Sequence, residues 1–302
     1  MVKPQSTTRQ APLPTRHGVS PSYIWIPEGH WESALQFLTQ QFPDIPPKVW
    51  LMRMQKAEVC DGDGQVLSPD SQVKRGMCIY YYRELEDEIA IPFQETILYQ
   101  DAHLLVVDKP HFLPVTPGGK YLRETLLVRL KCTTGIEHLT PLHRLDRETA
   151  GVMLFSTQVQ SRGKYQTLFQ GRQVNKTYHA LAAHLSEQAF PIHKTSRMVE
   201  STQFFVMQEI DGEPNSETMI SILERRGAHS VYLLQPSTGK KHQLRVHLAS
   251  LGAPIINDQF YPVALPQGSD DFQKPLQLLA KSIAFIDPIS GEQREFHSQL
   301  QL

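Results

Sequence analysis

The 302-residue sequence predicts an α+β fold. Segments with the apolar pattern of β-strands outnumber segments with helical spacing, and the two kinds do not alternate along the chain. Regular alternation would be expected of a doubly wound parallel sheet, so the order of the segments favours the α+β class. The length is sufficient for a sizeable core and for about two domains.

Composition and cysteine content are those of a globular protein in a reducing compartment. Hydrophobic residues make up 40% of the chain and charged residues 20%, as is usual for such proteins. The three cysteines, Cys60, Cys78 and Cys132, form no C-x-x-C pair, which argues against a disulfide framework or a structural zinc site. Residues 1–18 lack the apolar stretch of a signal peptide, and no window approaches the roughly 18 apolar residues of a membrane span. We therefore expect a cytoplasmic protein that does not enter a membrane.

The first third of the sequence predicts a small domain between two irregular segments. Apolar residues recur at helical spacing in 31–42, which predicts an amphipathic helix. The "DGDG" of 61–64 indicates a turn, and "CIYYYRE" of 78–84 has the composition of a strand. The predicted organisation is a disordered arm rich in Pro, Ser and Thr (1–22), a small α/β domain (23–85), an acidic linker (86–94) and a larger domain (95–302).

The larger domain begins with two apolar runs around the polar "QDA", which predict a hairpin over 95–110. The continuous apolar run of 151–156 is typical of a central strand buried on both faces. A helical pattern over 160–172 closes at Gly171, and a second over 240–252 closes at Gly252. Further strands are expected within 174–184, 230–236 and 276–287.

Charge is unevenly distributed although the formal net charge is only −1. Residues 120–185 contain ten lysines and arginines against four aspartates and glutamates. Such a local excess can hold a polyanion even when the whole chain is nearly neutral. The alternative is a solvated basic surface without a ligand, and charge alone does not decide between the two.

The segment "HRLDRETAG", residues 143–151, places Asp146 between Arg144 and Arg147 just before the buried run. Neighbouring arginines keep a carboxylate ionised and oriented. Asp146 is then either one half of a structural ion pair on a loop, or a nucleophile or base at the edge of a buried strand. The segment alone favours the structural interpretation.

Five segments, including this one, follow one another over about residues 95–290. They are "ILYQDAHLLVVDKPHFLPVTP", "HRLDRETAGVMLFS", "NKTYHALAA", "PSTGKKHQLRVHLASLGAPIINDQFY" and "LQLLAKSIAFIDPISGE". In this order they resemble the signature segments of the RluA family of RNA pseudouridine synthases, and several motifs in register are far more specific than one. The resemblance implies a pseudouridine synthase fold with a mostly antiparallel central sheet. It also implies an enzyme that flips a uridine out of RNA, breaks the bond between base and sugar, and rejoins the uracil through carbon-5 without a metal or cofactor.

The resemblance implies three catalytic residues. The family's aspartate falls on Asp146, which acts as a nucleophile or a base, and the sequence leaves both roles open. Tyr178 matches a tyrosine that stacks on uracil and helps to remove the carbon-5 proton. Arg245 matches an arginine that pairs with the catalytic aspartate.

The same comparison implies a set of substrate-binding residues. The arginines beside Asp146 are expected to bind phosphates and to hold the flipped nucleotide, and Leu278 matches a leucine that lines the pocket. The implied substrate-binding set is Arg144, Arg147, Lys176, His242 and Leu278. The implied partner is ribosomal or transfer RNA, and we expect a monomer.

The chain departs from the family pattern at three positions. His111 follows the "DKP" where glycine is usual, Asn257 precedes Asp258 in place of glycine, and Leu279 replaces a common histidine. The small domain resembles a degenerate form of the RNA-binding module that often precedes this catalytic domain, but it lacks most of the basic residues of that module.

Two other classes of protein remain as alternatives. A non-catalytic RNA-binding protein on the same fold would be expected to lack one of Asp146, Tyr178 or Arg245, whereas all three are present. A nucleoside or sugar hydrolase would normally show a second carboxylate for acid–base catalysis.

Overall fold

A computed structural model describes residues 11–85, 87–203, 205–266, 268 and 270–302. The chain divides into two compact units. The first contains residues up to Glu88 together with Pro117–Arg123, and the second contains Ile89–Thr116 and Glu124–Leu302. The segment 117–123 was predicted as part of the larger domain, so its place in the first unit differs from the prediction.

The first unit is a three-stranded antiparallel sheet with two helices. Its core contains Phe37, Leu38, Trp50, Val59 and Ile79, all almost completely buried. The helix predicted over 31–42 is present but shorter, as is the strand predicted over 78–84. The elements are β1 (Ser22–Trp25), α1 (Ala34–Gln41), α2 (Pro47–Gln55), β2 (Val59–Asp61) and β3 (Cys78–Tyr81), with strand order β1-β3-β2.

Residues 11–22 are ordered against the first unit, which corrects the prediction of a disordered arm for this part. The guanidinium of Arg16 lies 3.9 Å from the centre of the Tyr82 ring and 2.5 Å from a carboxylate oxygen of Glu58. The Tyr82 hydroxyl donates to the carbonyl of Pro14 at 2.7 Å, and Val19 is buried. Composition does not detect such specific contacts, which is why the prediction was wrong. Residues 1–10 lie outside the described residues.

The second unit is built on one eleven-stranded sheet. The strand order is β10-β9-β11-β12-β8-β13-β7-β5-β4, with β14 paired to β13 and β6 paired to β7. Every pairing is antiparallel except that of β13 with β7. The elements are β4 (Thr96–Gln100), β5 (Leu104–Lys109), α3 (Leu126–Thr134), β6 (Thr140–Pro141), β7 (Ala150–Ser156), α4 (Val159–Gln170), β8 (Asn175–Ala183), β9 (Ile192–Glu200), β10 (Met207–Ile210), β11 (Ser216–Arg226), β12 (His229–Pro236), α5 (Gln243–Ser250), β13 (Leu278–Ile286) and β14 (Gln293–His297).

The main elements predicted for this unit are confirmed. β4 and β5 form the expected hairpin, and every residue of β7 is buried, as the apolar run indicates. The helix α4 ends at Gln170 and α5 at Ser250, and Gly252 just beyond α5 has a φ of +87° that favours glycine. No helix in the described part of the chain is both long enough and apolar enough to cross a membrane.

Gly151 allows β7 and β13 to approach each other. Its φ is +115°, and a Cβ at this position would lie 2.2 Å from the carbonyl oxygen of Ala280. The parallel pairing involves only two residue pairs, Leu279 with Ala150 and Ala280 with Gly151. The glycine of the "T-x-G" in the HRLD segment is therefore required by the packing of these two strands.

We expect Gly151→Ala to lower the free energy of unfolding by roughly 1–3 kcal/mol through overpacking alone, with a further cost from the unfavourable φ. Urea unfolding of the purified protein measures the change. Gly163→Ala is the matched control, because Gly163 lies on α4 and nothing approaches within 4 Å of its added Cβ. The control should be neutral or stabilising by up to ~1 kcal/mol, and an equal loss in both variants would contradict the explanation.

Candidate active site

A cleft of about 790 Å³ lies in the second unit, at the N-terminal end of β7. Its walls come from the loop that precedes β7, from β8 and β13, and from the start of α5 with the turn before it. Seven of the eight predicted site residues line the cleft, and Arg147 does not. The seven are Arg144, Asp146, Lys176, Tyr178, His242, Arg245 and Leu278.

Asp146 faces the cleft from the loop between β6 and β7, with 20% of its side chain exposed. Its Oδ2 lies 3.5 Å from Nη1 of Arg245 and 3.8 Å from Nε2 of His242. Both contacts involve the same oxygen. No described residue donates a hydrogen bond to Oδ1, so this oxygen is available to a molecule in the cleft.

Arg245 is held in place by Asp258 rather than by Asp146. The guanidinium donates from Nε and Nη2 to the two carboxylate oxygens of Asp258, at 2.8 and 2.6 Å. The Asp258 side chain is fully buried, and its Oδ1 also accepts the backbone N–H groups of Phe260 and Tyr261. This arrangement fixes the plane of the guanidinium and leaves only Nη1 to face Asp146.

Nη1 of Arg245 is buried without a hydrogen-bond partner among the described residues. An unsatisfied buried donor costs roughly 1–3 kcal/mol, and here it lies 3.5 Å from Asp146 and 3.7 Å from Glu148. Burial alone would lower the pKa of Arg245, but hydrogen bonds to Asp258 and three nearby carboxylates raise it above its usual range. The guanidinium is therefore a permanent positive charge beside Asp146.

His242 immediately precedes α5 and has a φ of +56°. Its ring stacks on Phe260, with centroids 5.6 Å apart and planes inclined by 12°, and its Nδ1 lies 2.8 Å from the Tyr261 hydroxyl. Burial, with the positive charges of Arg245 and Lys241, lowers the pKa of His242 to about 3. The imidazole is neutral at physiological pH and contacts Asp146 as a dipole.

Tyr178 and Leu278 form the apolar side of the cleft on the neighbouring strands β8 and β13. Tyr178 is opposite Ala280, and Leu278 is opposite Ala180, so the two side chains are diagonal neighbours on one face of the sheet. Burial, followed by the negative charge of Asp146, raises the pKa of the Tyr178 phenol. The hydroxyl therefore remains protonated at neutral pH.

The two arginines beside Asp146 have different surroundings. Arg144 is exposed at the rim of the cleft and forms no ion pair within the described part of the chain. Arg147 turns away and binds Asp270 through both terminal nitrogens, at 2.6 and 2.8 Å, while its Nε donates to Glu148 at 3.0 Å. The charge of Arg147 is thus already paired with two carboxylates, whereas its predicted role in substrate binding stays a prediction.

Lys109, which the sequence analysis did not select, anchors the loop that carries Asp146. The residue is fully buried at the end of β5, and its Nζ donates to the carbonyls of Pro110, Leu113 and Arg147 at 2.8–3.0 Å. Burial lowers the pKa of Lys109 to about 7. Three acceptors nevertheless require three N–H groups, which only the charged ammonium has. The sequence feature that could have identified Lys109 is its position at the end of the apolar run "LLVVDK".

The basic excess of 120–185 is only partly available to a ligand. Arg129 pairs with Glu95 and Glu124, and Arg162 donates to the carbonyl of His138. Lys120 and Arg123 belong to the first unit. Lys176 lines the cleft, but its Nζ lies 3.3 Å from the carbonyl of Thr238, so it also supports the turn before α5. The exposed basic residues at the cleft are Arg144, Arg172 and Lys240.

The chain is similar in sequence and in fold to known RNA pseudouridine synthases. The sequence model of RNA pseudouridylate synthases matches residues 103–250. The ribosomal large subunit pseudouridine synthase D of Vibrio cholerae is 28% identical over 295 residues, which cover 88% of this chain and 86% of that protein. An uncharacterized RNA pseudouridine synthase of Synechocystis is 29% identical over 230 residues, covering 75% and 78%.

The solved structures that resemble this chain are also those of RNA pseudouridylate synthase domain proteins. Human RNA pseudouridylate synthase domain containing 4 shares 28% identity at a TM-score of 0.54, with 68% of this chain and 88% of that chain covered. Human RNA pseudouridylate synthase domain containing 1, at 23% identity and a TM-score of 0.56, has the same fold, with 68% and 84% covered. In sequence and in fold the chain is thus similar to RNA pseudouridine synthases of the RluA kind. It is an isomerase that converts uridine in RNA to pseudouridine.

Proposed function

We propose that a uridine flipped out of folded RNA enters the cleft and that Asp146 is the residue that reacts with its sugar. The observation that carries this proposal is the Asp146 carboxylate, which lines the cleft with its Oδ2 3.5 Å from a fixed arginine and its Oδ1 without a hydrogen-bond partner among the described residues. A carboxylate in this position serves either as a nucleophile at C1′ or as a base at C2′. Both roles need a carboxylate with a free lone pair, and the guanidinium of Arg245 lies 3.5 Å from this one.

The isomerisation is balanced without any other reactant. The N1–C1′ bond breaks, the uracil turns within the cleft, and a C5–C1′ bond forms. The C5 proton is then lost, and N1 gains a proton. Tyr178 and Leu278 provide the apolar surface against which the detached base turns. Since the phenol is protonated at neutral pH, Tyr178 contacts the base as a neutral ring and cannot by itself accept the C5 proton.

We propose structured ribosomal or transfer RNA as the substrate. Two relatives from Xanthomonas and Vibrio, each matched over at least 74% of its own length, are named as synthases of the large ribosomal subunit. These names support ribosomal RNA, ahead of transfer RNA, as the substrate. Purified protein should release tritium from RNA labelled at uracil carbon-5. Pseudouridine mapping in a strain that lacks the gene should show one or a few sites lost, and an unchanged map with no tritium release would contradict the proposed function.

Three exposed basic residues at the rim are proposed to contact the RNA backbone. Neutralising them together, as Arg144→Gln, Arg172→Gln and Lys240→Gln, should flatten the plot of log affinity against log salt. The expected change in slope is roughly 0.7–0.9 for each phosphate that the variant no longer binds. The measurement is a salt titration of RNA binding by wild type and by the triple variant.

The matched control removes the same charge from the first unit. Lys48, Lys56 and Lys74 are exposed there, and replacing all three by Gln should leave the slope nearly unchanged, because this unit lacks the basic residues of RNA-binding relatives. A larger change in the control than in the rim variant would show that the first unit is the main RNA-binding surface.

We also propose that the enzyme is a cytoplasmic monomer. The three cysteines are in the reduced form and two of them are buried, as suits a reducing compartment. Light scattering at micromolar concentration should give the mass of one chain, and a mass twice as large would contradict the proposal.

A further inference from the structure

Tyr261 lies behind His242, outside the residues that line the cleft, and is almost completely buried. Its hydroxyl oxygen accepts the backbone N–H of Met207 at 2.9 Å. The same oxygen lies 2.8 Å from Nδ1 of His242. No other hydrogen-bond partner of this hydroxyl occurs among the described residues, so these two contacts account for its bonding.

The position of the protons in this contact follows from counting donors. A phenol has one proton, and the N–H of Met207 can only donate, so the hydroxyl proton has His242 Nδ1 as its only acceptor. If Nδ1 carried a proton instead, the Tyr261 O–H would be buried without an acceptor, which is unfavourable. Nδ1 therefore accepts, and a neutral imidazole must then carry its proton on Nε2.

The Nε2–H group points towards the catalytic carboxylate. Nε2 lies 3.8 Å from Oδ2 of Asp146, and stacking on Phe260 holds the plane of the ring. This distance is longer than a hydrogen bond, but catalytic hydrogen bonds in unliganded enzymes are often long and shorten when substrate is bound. Burial and nearby positive charges keep His242 neutral. The tautomer of His242, rather than its charge, therefore decides whether an N–H group or a nitrogen lone pair faces Asp146.

We propose that Tyr261 is a positioning residue that fixes His242 as its Nε2–H tautomer. In that form His242 and Nη1 of Arg245 both contact Oδ2 of Asp146, and Oδ1 is left for the substrate. The other tautomer would direct a lone pair at the carboxylate and repel it. The inference rests on the proposed role of Asp146 and goes beyond it, because it assigns a function to a residue that does not touch the substrate.

The test is Tyr261→Phe, which removes one hydroxyl and keeps the ring. The matched control is Tyr232→Phe, because the Tyr232 hydroxyl also accepts a backbone N–H, from Leu185, and donates to the carbonyl of Ala183, but it does not line the cleft. We expect Tyr261→Phe to lower kcat at least tenfold with RNA affinity within twofold of wild type. Tyr232→Phe should leave kcat within twofold.

Nitrogen-15 NMR of the free protein reads the tautomer directly, with the His242 signals assigned by their loss in His242→Gln. Wild type should show the Nε2–H form, and Tyr261→Phe should shift towards Nδ1–H. This measurement does not depend on catalysis. A wild-type enzyme that forms no pseudouridine would refute the proposed function, whereas an Nδ1–H tautomer in wild type would refute the present inference.

A double variant separates positioning from a general structural role. His242→Gln replaces the imidazole by an amide that can donate from about the place of Nε2 and has no tautomers. In that background, Tyr261→Phe should lower kcat less than twofold further. If the full tenfold loss persists, or if Tyr261→Phe alone leaves kcat unchanged, Tyr261 does not act through His242 and the inference is wrong.

Discussion

Asp146→Asn is expected to fold, to bind RNA with near wild-type affinity and to form almost no pseudouridine. The amide preserves the shape of the side chain but removes the charge that a nucleophile or base requires, so we expect a loss in rate of at least roughly 10²–10⁴-fold. Folding should be retained because Asp258, not Asp146, is the main partner of the buried Arg245. Tritium release from RNA labelled at uracil carbon-5 measures the rate, and circular dichroism checks the fold.

Glu148→Gln is the matched control for this substitution. Glu148 is buried, and its carboxylate lies 3.7 Å from the same Nη1 of Arg245, but it does not line the cleft. Its loss should reduce the rate far less than the loss of Asp146. A residual rate in Asp146→Asn within tenfold of wild type would contradict its assignment as the reacting residue.

Arg245 is the second position where a large effect is expected, and here stability and activity must be separated. The side chain is 1% exposed and bound to the fully buried Asp258. Arg245→Ala would leave that carboxylate without its partner, at a cost of about 3–5 kcal/mol, which is a large part of the ~5–15 kcal/mol that stabilises a typical domain. Arg245→Lys keeps the charge but loses the paired geometry.

For Arg245→Lys we expect kcat to fall at least tenfold while RNA affinity changes less than twofold, because the guanidinium orients Asp146 and does not face phosphate. Single-turnover kinetics and urea unfolding give the two quantities. Arg294→Lys is the control, since Arg294 also pairs with two carboxylates away from the cleft, the buried Asp287 and the partly buried Asp101. It should lose stability with little change in kcat. Equal losses of affinity and turnover in Arg245→Lys would instead make Arg245 a binding residue.

Sequence reasoning succeeded where one residue or one local run contains the information. The run 151–156 predicts a buried strand because almost every position is apolar, and the position of Asp146 before it predicts a carboxylate at the edge of the sheet. Asn257 has a φ of +64°, which explains why glycine is usual in the family there and why Asn, which tolerates this region better than most residues, can replace it.

The remaining features depend on contacts between distant segments. Asp258 and Tyr261 support the site through hydrogen bonds that cannot be read from their neighbours in sequence. Arg147 resembles Arg144 in the sequence, yet Asp270, 123 residues later, neutralises it. Lys109 is buried in spite of its charge because three carbonyls from two loops surround it. Such pairings are set by the tertiary fold.

The short parallel pairing of β7 with β13 has one further consequence. All described strands before residue 157 in the second unit lie on one side of this seam, and the strands from residue 175 onward lie on the other. The carboxylate of Asp146 comes from the first side, whereas Tyr178, Arg245 and Leu278 come from the second. The catalytic centre is in this sense an interface between two successive stretches of one chain, and neither stretch alone holds a charge-paired Asp146. Pseudouridine formation therefore reports on whether the two stretches have docked, and the synthase is active only when both are in place.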